Sequence, residues 1–156
     1  MMKKIFLKRC ACFLLLAFFL FLPSCEQEQS SLAAVRDLSL NFPLKYGVIY
    51  SDEFEEEDEK YFSDEMKLLI LGANAVKYDY IVSVSGYFSR DRVSGEEIIV
   101  ILLDDRSHRA EISYALYRRA AKKQDIPTRV FCNDDLVFFI CSGNAEQIEE
   151  YIKTKM

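Results

Sequence analysis

The chain has 156 residues, 51% of them hydrophobic and 29% charged, which suits one domain with a real apolar core and excludes a disordered or low-complexity chain. Its formal net charge of −5 is unevenly spread. The segment before Cys25 takes four of the 20 basic residues (Lys3, Lys4, Lys8 and Arg9) and none of the 25 acidic ones, so the remainder carries −9. A domain that acidic is a poor match for nucleic acid and for general attraction to anionic lipid.

Met1 to Arg9 is a basic stretch, and Ala11 to Leu22 is an unbroken apolar run of twelve. After Leu22-Pro23-Ser24-Cys25 the chain turns polar at once with Glu26-Gln27-Glu28-Gln29. A basic head, an apolar run of about 7–15 residues and a small residue at the cut describe a secretory signal. A membrane-spanning helix needs about 20 apolar residues, more than this run supplies. Leu22, Ser24 and Cys25 resemble the lipobox of bacterial lipoproteins, with Pro23 departing from the usual small residue at its position. The resemblance implies cleavage between Ser24 and Cys25 and a diacylglycerol on the Cys25 thiol, hence palmitate-type labelling and a place on the extracytoplasmic face of the cell membrane. Residues 1–24 then form the signal peptide, 25–45 a polar tether, and 46–156 the folded domain. Within the tether, Leu32, Val35 and Leu38 fall three apart and allow a short helix over Ser31–Leu38 that docks on the domain.

Tyr46–Tyr50 reads as a short strand, followed by seven acids in the eight residues from Asp52 to Glu59. That run lacks the alternating ligands and glycine of a calcium loop, so a solvated acidic loop is the expectation. Ser63 caps a helix carrying Met66, Leu69 and Ile70, and Gly72 with Asn74 stops it. Tyr80, Val82 and Val84 alternate with Ser83 and Ser85, the pattern of a strand with one buried face, and Gly86 suggests a bulge. Ile98–Leu103 is continuously apolar and β-branched at four of six positions, which predicts a central strand buried on both faces.

Asp104, Asp105 or Ser107 caps the next helix, with Ile112, Leu116 and Ala120 facing inward, and Pro127 follows it. Thr128–Cys132 and Leu136–Ser142 form a hairpin turning at Asn133-Asp134-Asp135. Asn144 and Gln147 suggest a capping box for a last helix packed through Ile148, Tyr151 and Ile152. The order implies an α+β fold, an antiparallel or mixed sheet of about four strands with helices packed on one face.

Of the five cysteines, Cys10 and Cys12 leave with the signal and Cys25 is the lipid site, so only Cys132 and Cys141 invite a disulfide. A turn centred on Asp134-Asp135 sets Cys132 opposite Val137 and Cys141 opposite Thr128. The thiols then stand about 13 Å apart along the hairpin, too far for a bridge, and read as small buried apolar residues. His108 is the only histidine, which excludes a multi-histidine zinc site and points to an exposed or capping role. No catalytic constellation, cofactor motif or metal motif emerges. Arg118, Arg119 and Lys122 give the helix before Pro127 a basic side, the candidate surface for an unknown protein or envelope partner.

Glu96–Val100, Tyr117-Arg118-Arg119 and Leu136–Ser142 before an acidic last helix make residues 46–152 resemble a family of uncharacterised Gram-positive lipoproteins, a domain of unknown function. That resemblance implies location and fold, and no activity, cofactor or catalytic residue. The reading is a membrane-anchored extracytoplasmic binding or accessory module, not an enzyme. Its alternatives are a small cell-envelope hydrolase using paired carboxylates and a structural interaction protein.

Overall fold

The computed structural model describes residues 29–72, 78–91, 95–123 and 125–156. Ser24 and Cys25, and with them the signal and lipid-site assignments, lie outside the described residues, as does Asn74. The fold is α+β. Strands β1 (Gly47–Ser51), β2 (Ile81–Ser89), β3 (Glu97–Leu103), β4 (Thr128–Asn133) and β5 (Leu136–Cys141) form one sheet in the order β1-β2-β3-β5-β4. Every pairing is antiparallel, and the sheet has five strands rather than four. The helices are α1 (Ser31–Asn41), α2 (Asp64–Leu71), α3 (Arg109–Ala120) and α4 (Ala145–Lys155).

Period-two burial divides the core. Ile99, Ile101 and Leu103 of β3 join Val137 and Phe139 of β5 under Ile70 and Leu71 of α2 and Ile112, Ala115 and Leu116 of α3. Ile98 and Val100 join Phe138 and Ile140 under Ala34, Val35 and Leu38 of α1 and Ile148 and Ile152 of α4. The helices therefore cover both faces of the sheet, not one. A β3 without a polar face requires this, because either side left open would present apolar surface to water at about 25 cal/mol per Å². The structure also moves the start of the domain. Val35 and Leu38 are wholly buried against β2 and β3, so residues 31–41 belong to the folded domain rather than to a tether.

The hairpin register is the expected one, with Thr128 opposite Cys141 and Cys132 opposite Val137. Asp134 takes the left-handed conformation (φ 46°) that a tight turn needs. Cys132 and Cys141 are free thiols; Cys141 is buried and Cys132 half-buried beside Ser113.

Local expectations for β2 and α4 require correction. Gly86 pairs in register with Tyr50 and Ile99, and the irregularity of β2 lies between Ile81 and Ser83 instead. Glycine is needed at 86 because a Cβ there would stand 2.6 Å from the Phe88 ring, which folds back beside Phe62 and Tyr50. Ser83 and Ser85 are buried rather than solvent-facing, because α1 lies over them, while Val82 is exposed. At α4, Asn144 makes no side-chain cap; the Ser142 hydroxyl accepts from the Asn144 N–H instead. Ser63 caps α2 as its sequence predicts, accepting from Met66 N–H, and Gly72 (φ 90°) ends it.

Candidate docking surface

Adjacent arginines on α3 have opposite fates. A helix turns about 100° per residue, so Arg118 and Arg119 cannot share a direction. Arg119 reaches down to Glu97 at the start of β3 and grips it bidentately, Nε to Oε1 at 2.6 Å and Nη2 to Oε2 at 2.9 Å. Lys123 closes on the same carboxylate at 3.2 Å. Glu97 is 4% exposed, and this clamp supplies its counter-charge. Arg119 is therefore held by the fold, its charge already matched by Glu97 although its side chain lines the same groove as Arg118 and Lys122. Arg118 and Lys122 stay exposed, and among the described residues no ion pair engages either.

These two cations flank a shallow groove of about 60 Å³ between α2 and α3, lined also by Leu69–Gly72, Ala115 and Arg119. Leu69 is 79% exposed, and Tyr114, one turn before Arg118, is 67% exposed. Tyr117 is also mostly exposed but is tied down, its hydroxyl donating to the Val130 carbonyl at 3.0 Å. Burial and the neighbouring Glu111 raise the Tyr78 hydroxyl above its ordinary pKa, against the opposing pull of Arg118. The surface thus combines exposed apolar and aromatic side chains with positive charge that no ion pair engages among the described residues.

The carboxylates most suggestive of acid–base work serve the fold. Glu97 opens β3 and Glu96 directly precedes it, and their carboxylates meet separate partners. Glu96 accepts from the Ser142 hydroxyl at 2.8 Å and from Lys45 N–H at 3.0 Å. A larger groove of about 390 Å³ runs between α1 and α4, lined by Ala33, Ala34, Leu136, Tyr151 and Lys155, with Asp37 its one side-chain carboxylate. Asp37 lies beside the Tyr151 hydroxyl and raises its pKa. Neither of these two grooves holds a pair of side-chain carboxylates. Glu55–Glu59 all face solvent, and no group of three metal-ligating side chains occurs among the described residues.

Two constellations escaped the sequence. His108 neither caps α3 nor stands free; it stacks flat on Tyr80, ring centres 3.7 Å apart, while the Tyr80 hydroxyl donates to Glu111 at 2.8 Å. Asp105 supplies the cap of the preceding turn, accepting from Ser107 N–H. On the opposite face, the hydroxyls of Ser31, Ser51, Ser83 and Ser85 form a buried hydrogen-bonded chain with links of 2.7–2.9 Å. It ends at Glu53, whose carboxylate accepts from the Ser30 hydroxyl at 2.6 Å, the Ser31 hydroxyl at 3.0 Å and Leu32 N–H at 3.0 Å. An acid on a helix N-terminus is stabilised by the free N–H groups and the dipole.

Partial burial alone would push the Glu53 carboxyl up, but these hydrogen bonds outweigh it and hold the group below its ordinary 4.5. A depressed folded-state pKa contributes stability that is present above the unfolded value and lost as pH falls through the folded one. Glu53→Gln should therefore lower stability at pH 7, and its deficit against wild type should shrink as pH falls below 4.5. Urea titrations at stepped pH measure this; a deficit independent of pH would remove the assigned role of the charge.

No family model matches the chain, and no curated protein or solved structure matches it either.

Proposed function

We propose that this protein is a bacterial lipoprotein: an extracytoplasmic accessory module, held to the membrane by lipid on Cys25, that presents its α2–α3 surface to a partner without itself catalysing a reaction. The observation that carries the reading is the run from Lys3 to Cys25, basic then apolar and ending Leu22-Pro23-Ser24-Cys25, directly ahead of an acidic domain. Two acyl chains on one cysteine supply the double anchor that durable membrane attachment needs, at about 0.8 kcal/mol per buried methylene. A net charge of −9 after the cut keeps such a domain off an anionic bilayer.

The tether is short on this reading. Ser30, which caps α1 by accepting from Ala33 N–H, comes five residues after Cys25, and fully extended chain covers that gap in about 18 Å. The domain then works close to the membrane surface, and its partner is another envelope component. Cys25→Ala is expected to abolish incorporation of labelled fatty acid and to move the protein from the membrane to the soluble fraction. Labelling that persists in this variant would end the lipoprotein reading.

A further inference from the structure

We infer that the α2–α3 surface pairs with a second copy of the same chain, the two α2 helices lying antiparallel across a two-fold axis. The exposed stripe of α2 is self-complementary. Asp64, Glu65, Leu68 and Leu69 are its exposed residues, and their spacing places them on one side of the helix. The acids occupy the first turn, the leucines the second. Arg118 and Lys122 of α3 share a groove with the last residues of this helix, Leu69 to Gly72.

A two-fold axis crossing between Leu68 and Leu69 sets each Leu68 against the partner's Leu69. It also brings each Glu65 opposite the partner's Gly72 end, where Arg118 and Lys122 have no acid of their own. One contact thus covers the exposed leucines and answers both cations, twice by symmetry. Charge favours a second copy over an unrelated acidic partner, because an acidic partner laid along the stripe would repel Asp64 and Glu65. The patch is small beside the roughly 1,000 Å² expected of a free-standing specific interface, so the pairing is weak in dilute solution. Confinement to one membrane surface, the part that rests on the lipoprotein reading, raises the effective concentration of one copy around another.

The test uses the full chain, purified in detergent, returned to phospholipid vesicles at high surface density and treated with a short bis-maleimide. Leu69→Cys should cross-link to itself, whereas wild type and Leu40→Cys, equally accessible on α1 of the other face, should not. On the Leu69→Cys background, Glu65→Lys and Lys122→Glu should each lower the yield about tenfold. Combining the two should restore it, since each copy then offers the swapped charges. All these positions are exposed, and unchanged melting curves verify that the variants fold. A Leu69→Cys chain that stays monomeric or joins only a different protein overturns the pairing, as does a double charge swap that fails to restore dimer. Fatty-acid labelling of the same preparations separates this failure from failure of the anchor.

Discussion

Arg119→Ala is expected to destabilise the domain by about 2–3 kcal/mol, while Arg118→Ala, one residue away, changes stability by no more than about 0.5 kcal/mol. The contrast follows from where each guanidinium ends. Removing Arg119 strips two short charge-assisted hydrogen bonds from a carboxylate that is 95% buried on its side chain. Breaking a buried pair from one side costs about 3–5 kcal/mol, and Lys123, still 3.2 Å from Glu97, offsets part of that. Arg118 has no carboxylate to abandon. Urea denaturation of the two variants reads the difference as a midpoint shift at constant m-value. The double variant Arg119→Ala/Glu97→Ala should lose less than the sum of its singles, because the orphaned charge is gone. Equal and small effects of the two arginine variants would overturn the clamp.

The same pair of residues measures what the sequence could disclose about the site. Tyr117-Arg118-Arg119 reads as a uniformly basic helix side, and only the partner across space separates the two arginines. A signal was nevertheless present. Glu97 directly precedes the apolar strand Ile98–Leu103, and a carboxylate there demands a cation from whichever element covers it. The hairpin was legible to its register because a two-residue turn leaves one way to pair the flanking residues. The two-sided burial of β3 was legible too, and taken seriously it already called for helices on both faces. What hid the second layer was polarity. Ser83 and Ser85 read as a solvent face, and a helix whose apolar residues are Leu32, Ala33, Ala34, Val35, Leu38 and Leu40, with Arg36, Asp37 and two serines among them, reads as tether. In the fold these deficits answer each other, since the serines of β2 bond to Ser31 of α1 rather than to water. Complementary polar burial leaves no periodic trace in either segment.

Leu38→Ala should cost about 3 kcal/mol, within the 2–5 kcal/mol typical of a buried leucine whose cavity only partly collapses. Leu38 is wholly buried in the cluster formed with Val35, Tyr87, Ile98 and Val100, on the sheet face opposite α2 and α3. Leu40 lies two residues further along the same helix and is 85% exposed, so Leu40→Ala should stay within about 0.5 kcal/mol. A tether would make the two substitutions equivalent; a core helix separates them. Amide protection of Ile98 and Val100 should fall with global stability in Leu38→Ala, since those strand residues pack beneath α1. Unchanged stability in that variant would return residues 31–41 to the tether. The expected loss, by contrast, makes α1 the element through which any pull on the amino-terminal side reaches the sheet, with Glu53 and the buried serines holding the end where that pull arrives.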